Sequence, residues 1–508
     1  MGHVIIPLSK LVATRFYLMS SLEEIRNTRL AKLKKLQEAG VNPYPAETNM
    51  DSSLAEVVKN FSKLSKSKKK QYSLAGRIMS LRPQGGLIFF HFSDGTDTFQ
   101  AMLKKGELIS DNDFDLLSET VDIGDFIEVK GTLFITKRKE KTIQVASWKM
   151  LSKSLRSLPE KWHGLQDVEE RFRHRYLDTL MNKEVRERFN LRVRMMNEIR
   201  NFYNEAGFLE VEVPYLQPLA GGATARPFTT HHNALDIDFY LPVAQELYLK
   251  ELLVGGFNKV YEMGRRFRNE GIDTTHNPEF TMLESNEAYA DAKSQREFIE
   301  KLFKTLIKKL FGKSKIVYDG QTIDFAPKFT VISFYDLLKR HALIPDPDTI
   351  SRNEAAIKAK QLGVKVEDES LDKILDNIYK KTARHKLIQP TFIIDYPVAM
   401  NPFAKRKEDD PSLIDRFQLV VGGMELVNAF SELNNPIDQI ERYLEQDKKG
   451  AMGEGEVSPS DQEYLESMEY GMPPNGGIGI GIDRLAMLLT DTRNIKEVIL
   501  FPTLKPKE

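Results

Sequence analysis

The stretch RFRNEGIDTTHNPEFTMLE, from Arg266 to Glu284, concentrates mixed charge between two segments of strand character. The strand VYEMGRRFRNEG leads to a turn at Gly271, and HNPEFTMLE returns as a second strand. Charges this dense are costly to bury unpaired, so they either cover a solvated surface or hold a charged ligand. Arginine can bind a phosphate through two hydrogen bonds, and phenylalanine can stack on a base. The residue types therefore indicate an ATP-binding hairpin.

Two further motifs stand on either side of this hairpin in the chain. FLEVEVPYLQP (208–218) alternates apolar and polar residues and predicts a strand that ends at its first proline. NGGIGIGIDRLAMLLT (475–490) places alternating glycines on a strand, followed by a helix that carries Arg484. The guanidinium and the positive end of the helix both favour a phosphate. A GxGxxG dinucleotide loop is excluded, because no βαβ unit surrounds the motif and no acidic residue follows at the required distance.

The composition bounds the class of protein. A chain of 508 residues, 41% hydrophobic and 29% charged, predicts a soluble protein of two or three domains. No window approaches eighteen consecutive apolar residues, so we expect no membrane span and no membrane partner. The equal counts of 73 basic and 73 acidic residues decide nothing about nucleic acid. The absence of cysteine excludes disulfides and thiolate metal sites, and it suits the cytoplasm, where we expect this protein.

A small barrel is predicted in the N-terminal part of the chain. Five strand-like runs between Tyr72 and Leu151, separated by glycine and aspartate turns, indicate an OB-fold. Such barrels bind single-stranded nucleic acid by stacking bases on aromatic rings. Phe89, Phe90 and Phe92 lie together on LIFFHF, and strand alternation turns some of them into the core. The residues alone leave open which of the three face outward.

The remainder of the chain mixes long amphipathic helices with apolar strands that lack regular βαβ spacing, which indicates an antiparallel sheet flanked by helices. The predicted fold class is therefore α+β, with an N-terminal OB-fold barrel followed by this larger domain. We expect a loose extension at 1–19, a helix and linker at 20–66, the barrel at 67–152, a hinge at 153–180, and the larger domain at 181–508 with a helical insertion near 334–388.

In this order the three motifs resemble the three signature motifs of the class II aminoacyl-tRNA synthetases. The finer resemblance is to the bacterial-type lysyl-tRNA synthetases of subclass IIb, carried by AGGATARPFTTHHNALDIDFYL, ELYLKELLVGGF, ELVNAFSELNNP and GIGIGIDRLAMLL. It spans roughly residues 20–505. It implies an antiparallel class II catalytic domain that activates L-lysine with ATP to lysyl-adenylate and transfers it to the 3′ end of tRNA(Lys). It also implies a homodimer, because motif one forms the subunit interface in this family.

The resemblance assigns the ATP site and the catalytic residues. Arg268 matches the arginine that binds the lysine carboxylate and the α-phosphate, and Glu270 matches the residue that reads the adenine amine. His276 matches a group near the distal phosphates, Phe280 the ring that stacks on adenine, and Arg484 the arginine on the γ-phosphate. The implied catalytic residues are Arg268, Glu270 and Arg484.

The resemblance also implies up to three Mg²⁺ ions. Glu425 matches one of the two glutamates that bind metal and also belongs to the implied ATP site. Gln418 stands where the family has the other glutamate. A glutamine offers a carbonyl oxygen without charge, so we expect the metal site at this position to be weakened.

The lysine pocket is likewise implied by the resemblance. Glu246 matches the carboxylate that binds the α-amino group, Glu432 the partner of the ε-ammonium, and Phe430 the ring over the methylenes. The other positions of this pocket are Gly222, Ala223, Arg268, Glu284, Asn286 and Asn428. Asn286 departs from the family, which has a tyrosine there. In the barrel, the implied anticodon-binding residues are Arg77, Arg82, Phe89, Gln100 and Glu140.

Three other functions compete with this interpretation. An aspartyl- or asparaginyl-tRNA synthetase of the same subclass is one, but an aspartate pocket needs cations, whereas Glu246, Glu284 and Glu432 gather here. A relative that attaches lysine to a protein lacks the anticodon barrel, which this chain has. A catalytically dead OB-fold paralogue that only binds nucleic acid is disfavoured by the intact motif arginines.

Overall fold

The computed structural model describes residues 8–67, 69–159, 167–367, 369–451 and 457–507, with side chains described except at 8–20 and 449. The chain divides into two compact units, Met1–Gly164 and Leu165–Glu508. Within the described residues, no helix combines the length and the hydrophobicity needed to cross a membrane.

The first unit contains three helices and five strands. The helices are α1 Leu8–Glu38, α2 Leu54–Leu64 and α3 Asp111–Thr120; the strands are β1 Gln71–Gln84, β2 Leu87–Ser93, β3 Thr98–Lys104, β4 Phe126–Ile135 and β5 Lys141–Ser152. The strands close into a barrel in the order β1-β2-β3-β5-β4. The OB-fold predicted from the five strand-like runs is confirmed. Helix α3, which lies between β3 and β4, was not predicted.

Helix α1 corrects one expectation. It begins at Leu8, whereas residues 1–19 were expected to form a loose extension and the helix to start after Met19. No glycine or proline interrupts residues 8–38, so the backbone has no break at the serines where the helix was expected to start. Residues 1–7 of the expected extension lie outside the described residues.

The barrel core sorts the three phenylalanines of β2. Phe90 and Phe92 are buried, while Phe89 on the alternate face is only half-buried. The ring centroids of Phe90 and Phe92 lie 5.7 Å apart in the core. Strand alternation therefore leaves Phe89 as the ring of β2 that reaches the outer face.

The second unit is built from eleven α-helices and twelve strands within its described residues. The helices are α4 Val168–Arg173, α5 Arg175–Met181, α6 Lys183–Glu205, α7 Glu246–Val254, α8 Ala292–Phe311, α9 Phe334–Ala342, α10 Arg352–Gln361, α11 Leu371–Thr382, α12 Pro436–Ala451, α13 Gln462–Glu469 and α14 Ile482–Leu489. The strands are β6 Leu209–Glu210, β7 Thr229–His232, β8 Ile237–Tyr240, β9 Lys259–Phe267, β10 Glu279–Ala288, β11 Lys315–Tyr318, β12 Gln321–Asp324, β13 Thr330–Ser333, β14 Thr391–Pro397, β15 Leu413–Val421, β16 Met424–Ser431 and β17 Asn475–Gly481.

Eight of these strands form one sheet in the order β13-β14-β15-β16-β17-β10-β9-β6. Its central pairs are antiparallel, and the outer pairs β13/β14 and β6/β9 are parallel. Helices α9, α10 and α11 occupy the connection between β13 and β14, in the region expected to hold a helical insertion. The predicted antiparallel sheet flanked by helices is confirmed.

The strand predicted from FLEVEVPYLQP is much shorter than expected. Only Leu209–Glu210 pairs with β9, and one further backbone hydrogen bond follows, from Val211 N to Tyr261 O. The segment lies at the edge of the sheet, and Leu209 is 54% exposed. Among the described residues, β9 is the only strand that pairs with β6, so pairing on one side alone supports this segment. Pro214 cannot donate a backbone hydrogen bond and limits any extension of the strand.

Candidate functional site

The glycine strand β17 lies between β10 and β16 and opens a trench on the sheet face. Gly479 is paired with Glu284 on one side and Asn428 on the other, and Gly477 is paired with Asn286 and Phe430. A Cβ atom at Gly477 would lie 1.8 Å from Glu432 Oε1. Glycine is therefore required here because a carboxylate lies directly over the strand.

A cavity of about 360 Å³ covers the trench and the hairpin loop. It brings together twelve of the predicted site residues: Gly222, Ala223, Glu246, Arg268, Glu270, His276, Phe280, Glu284, Glu425, Asn428, Phe430 and Arg484. Asn286, Gln418 and Glu432 do not line it. Glu432 instead lines a neighbouring cavity of about 410 Å³, together with Asn475.

One end of the main cavity is rich in guanidinium groups. The Arg268 guanidinium lies over the Phe280 ring at 5.2 Å, and its buried Nε has no hydrogen-bond partner among the described residues. Arg484 Nη2 lies 2.9 Å from His276 Nε2, and His276 Nδ1 lies 2.8 Å from Asp273 Oδ2. A buried unpaired donor is costly, so this end is suited to an anionic ligand that pairs with the arginines.

The base of the hairpin holds a buried ion-pair network. Arg266 is fully buried on β9, with its Nη2 atom 2.5 Å from Glu262 Oε2 and 3.0 Å from Glu284 Oε2. The backbone N–H of Gln245 also donates to Glu284, at 2.5 Å. Glu284 is thus already paired inside the protein, which the sequence did not indicate.

A second buried network joins α7 to the end of β16. Lys250 Nζ lies 2.8 Å from Glu246 Oε1 and 3.0 Å from Glu432 Oε2. The amide nitrogen of Asn286 donates to Glu432 Oε1 at 3.1 Å and to Asn475 Oδ1 at 3.2 Å. Burial raises the pKa of Glu432 to about 8, although Lys250 opposes the shift. Burial raises the pKa of Glu246 as well.

These two networks have an excess of negative charge. Among the described residues they contain four carboxylates, Glu246, Glu262, Glu284 and Glu432, against two cations, Lys250 and Arg266. Of these carboxylates, Glu246 and Glu284 line the main cavity. Buried charge is stable only when it is paired, so this end of the cavity is suited to a ligand that brings positive charge.

The two predicted metal ligands differ in position. Glu425 lines the main cavity, and its backbone oxygen accepts a hydrogen bond from Arg484 at 3.3 Å. Gln418 is buried beneath, and its side-chain oxygen accepts from the Tyr396 hydroxyl at 2.7 Å. The resemblance matched these two positions to metal-binding glutamates, and in this structure the Gln418 oxygen accepts from a tyrosine.

Four of the five predicted anticodon residues lie together on one face of the barrel, three on neighbouring strands and Glu140 in the turn before β5, with Gln100 buried among them. Arg82 on β1 is paired with Phe89 on β2, and Gln100 on β3 is paired with His91. Glu140 Oε1 lies 2.7 Å from His91 Nε2. With its amide oxygen accepting from Thr142, Gln100 donates to Glu140 at 2.8 Å.

Arg77, the fifth of these residues, has its guanidinium elsewhere in the barrel unit. Its Cζ atom lies 4.3 Å from the centre of the Phe126 ring, and its Nη1 donates to the backbone oxygen of Gly124 at 3.3 Å. The β-bulge between Ile78 and Ser80 shifts the strand register beside it.

Sequence reasoning missed several residues that complete the two sites. Asp483 accepts from the backbone N–H of Thr281 at 2.6 Å and from Arg192 at 2.5 Å, which ties α14 and α6 to the hairpin. Lys250 joins Glu246 to Glu432, and its spacing of four residues from Glu246 on a helix was a usable signal. His91 lies two residues after Phe89 on β2, so the two side chains share one face of the strand, and this spacing was also visible in the sequence.

Comparison with known proteins agrees with this geometry. Residues 167–505 match the family described as tRNA synthetases class II (D, K and N), and residues 72–151 match the OB-fold nucleic acid binding domain. The chain is 46% identical over 490 residues to the lysine–tRNA ligase of Pelotomaculum thermopropionicum, covering 96% of each chain. It is 45% identical to that of Roseiflexus sp., covering 96% of this chain and 100% of the relative. It is 46% identical to that of Carboxydothermus hydrogenoformans, covering 96% and 99%.

Proposed function

The chain belongs to the class II tRNA synthetases, and from this membership we propose that it is a lysine–tRNA ligase. It activates L-lysine with ATP to lysyl-adenylate and then transfers the lysyl group to the 3′ end of tRNA(Lys). Relatives of that name match nearly its full length. An aspartyl- or asparaginyl-tRNA synthetase of the same family would need a different side-chain pocket.

The observation that carries this proposal is the charge of the amino-acid end of the cavity. The two buried networks there contain four carboxylates against two cations, and Glu246 and Glu284 line the cavity itself, which favours a substrate that brings positive charge. Lysine supplies two ammonium groups, whereas aspartate and asparagine supply one. We assign the α-ammonium to Glu246 and the ε-ammonium to Glu432, with Phe430 over the methylenes.

The first step needs positioning and charge stabilisation more than it needs covalent chemistry from the protein. An oxygen of the lysine carboxylate attacks the α-phosphorus of ATP, the bond to the bridging oxygen breaks, and pyrophosphate leaves. Arg268, whose buried Nε is otherwise unpaired among the described residues, binds the carboxylate and the α-phosphate. Phe280 stacks on the adenine, Glu270 reads its amine, and Arg484 with His276 binds the distal phosphates.

Bound Mg²⁺ would neutralise charge on the phosphates through hard oxygen ligands. Glu425 fits this role because it lines the cavity and carries a carboxylate. Gln418 fits less well, because it has no charge and its oxygen already accepts from Tyr396. We therefore propose that Glu425 is the principal protein ligand and that the site at Gln418 is weakened.

In the second step, a terminal ribose hydroxyl of tRNA attacks the carbonyl carbon of the adenylate, and AMP leaves. We propose that the barrel, residues 67–152, binds the anticodon through the outer face that carries Arg82, Phe89, Gln100 and Glu140, with His91 among them. Arg77 contributes only if its guanidinium leaves Phe126. The hinge at 153–180 and the catalytic domain at 181–508 complete the organisation.

We further propose that the protein forms a homodimer through the edge of its large sheet. Strand β6 leaves its outer edge unpaired within the described residues, and Leu209 and Leu216 beside it are 54% and 50% exposed. An exposed edge strand with apolar side chains readily pairs with a second chain.

Charging of tRNA tests the proposed function. Purified protein is incubated with ATP, Mg²⁺, one radiolabelled amino acid and one tRNA transcript, either tRNA(Lys) or tRNA(Asp). We expect lysine on tRNA(Lys) and no aspartate on tRNA(Asp). Aspartate charging, or binding of tRNA without charging of any amino acid, would contradict the proposal.

A further inference from the structure

Lys250 is a fully buried cation to which no step of the proposed reaction assigns a role. Its side chain is fully buried, and its Nζ atom contacts Glu246 and Glu432 at 2.8 and 3.0 Å. Its Nζ also lies 4.9 Å from the centre of the Phe403 ring and 5.2 Å from that of Tyr464. Two carboxylates and two aromatic faces therefore hold this ammonium in one position.

The two carboxylates that it contacts come from separate elements. Glu246 opens helix α7, and Glu432 follows β16, 186 residues later in the chain. The hydrogen bonds of Lys250 are the direct connection between them that the structure describes. The position of one carboxylate relative to the other is therefore set by a single ammonium.

The two oxygens of Glu432 face different groups. Oε2 faces Lys250, whereas Oε1 accepts from Asn286 and lies over Gly477 on the floor of the trench. Glu432 does not line the main cavity, so a substrate ammonium that pairs with Oε1 must displace the Asn286 amide or shift the carboxylate, while Lys250 keeps Oε2. Lys250 can therefore keep its contacts with Glu246 and Glu432 when lysine binds.

We propose that Lys250 is a positioning residue that fixes the spacing and the ionisation of Glu246 and Glu432, so that the pocket selects its substrate by the distance between two ammonium groups. This rests on the proposed function, because it assumes that these carboxylates receive the two amines of lysine. Removing the cation leaves two buried carboxylates that repel each other and take up protons more readily.

Other charged and titratable groups near this ammonium are few among the described residues. Tyr464 on α13 and Tyr443 on α12 lie near it, and burial raises the pKa of both. Glu284 lies beyond Glu246 and is paired with Arg266. Glu251 on α7 also titrates between pH 6 and 9, because burial raises its pKa to about 7. Only the part of a pH change that Glu432→Gln also alters is therefore attributed to Glu246 and Glu432.

The test compares Lys250→Met with Lys259→Met, a matched control. Lys259 on β9 also pairs with one glutamate, Glu287 at 2.7 Å, but lies away from the cavity. We expect Lys250→Met to raise KM for lysine about tenfold or more at pH 7 and to leave KM for ATP within about twofold. We also expect the variant to prefer lysine over ornithine less strongly. The pH range in which KM for lysine decreases should move to higher pH. Lys259→Met should behave as the unchanged protein does.

Three outcomes overturn the proposal. A lower KM for lysine in Lys250→Met would mean that the internal ammonium competes with the substrate. Equal losses for lysine and ATP, with an unshifted pH profile, would mean that Lys250 only supports the fold. An unchanged preference for lysine over ornithine would remove its role in spacing.

If Lys250→Met does not fold, a second pair of variants tests the same proposal. The double variant Lys250→Met/Glu432→Gln removes one charge of each sign and is compared with Glu432→Gln alone. We expect the double variant to have the higher KM for lysine, because Glu246 has also lost its cation. Equal KM values overturn the proposal. Lysine activation by the unchanged protein is measured first, so failure of the proposed function is seen separately.

Discussion

The side-chain amide of Asn286 donates to Glu432 Oε1 at 3.1 Å, and this bond fixes the outer oxygen of the proposed ε-ammonium site. The family resemblance led us to expect a tyrosine at this position, and the sequence left the effect of the asparagine open. The shorter side chain reaches the carboxylate directly and is in turn oriented by Asn475 at 3.2 Å. Asn286 therefore acts on the pocket through Glu432.

Glu432→Gln tests the assignment of the ε-ammonium. The variant removes the buried negative charge but keeps a side chain of similar size, so we expect KM for lysine to rise about a hundredfold. KM for ATP should change little, because Glu432 lies at the opposite end of the trench from Arg484. Steady-state pyrophosphate exchange measures both constants. Similar increases in the two would show that Glu432 supports the site generally.

The ionisation of Glu432 predicts a pH dependence. Burial raises its pKa to about 8, so in the free protein the carboxyl is mostly protonated at pH 6.5. Lysine binds the ionised form, and KM for lysine should therefore fall by up to about tenfold per pH unit as pH rises toward 8, and then level.

The raised pKa of Glu432 also determines how the free energy of unfolding changes with pH. Between pH 4.5 and 8 the folded protein holds a proton that the unfolded chain has released, so the free energy of unfolding falls as pH rises through this range.

Glu432→Gln should remove the pH dependence of KM for lysine. A KM for lysine that stays constant from pH 6.5 to 8.5 in the unchanged protein would refute the assignment.

Gly477→Ala tests the trench. The new Cβ atom would lie 1.8 Å from Glu432 Oε1, so the carboxylate must move and we expect lysine activation to fall at least about a hundredfold. Gly481→Ala is the comparison, because its nearest neighbour would be 3.8 Å away. Any effect there should fall on ATP, whose proposed site it lines. Isothermal titration with each ligand separates the two, and an unchanged lysine affinity in Gly477→Ala would contradict the geometry.

Phe89→Ala tests the outer face of the barrel. Phe89 is half-buried, so its loss should leave stability nearly unchanged while kcat/KM for tRNA falls about tenfold or more through lost base stacking. Pyrophosphate exchange without tRNA should not change. Phe90→Ala, in the core, should instead cost about 3 to 5 kcal/mol of unfolding free energy. Unaltered tRNA charging by Phe89→Ala would exclude the stacking role.

Much of the fold was predictable because its signals are local. The strands of the barrel alternate apolar and polar residues, and the hairpin around Gly271 and the glycine strand β17 were predicted from their own residues. Strand β6 was not, because its length depends on whether a neighbour pairs with its edge. Helix α1 was predicted too short, since the capping signal after Met19 competes with uninterrupted helix-forming sequence before it.

The site was predictable where its residues share a motif and was not where they meet only in three dimensions. Arg268, Phe280 and Glu284 lie on one hairpin and line one cavity, as their motif indicates. The contact of Lys250 with Glu432 joins residues 182 positions apart, and no local sequence pattern predicts it. The pairing of Glu284 with Arg266 was missed for a related reason, because a buried ion pair and a ligand-binding carboxylate have the same residue type.

Amino-acid-dependent ATP–pyrophosphate exchange, screened over all twenty amino acids with the purified protein and Mg²⁺, tests the proposed function most directly. The excess of buried carboxylates over buried cations in the two networks predicts exchange with lysine at least about a thousandfold above that with aspartate or asparagine. Strongest exchange with aspartate or asparagine, or no exchange with any amino acid, would contradict it.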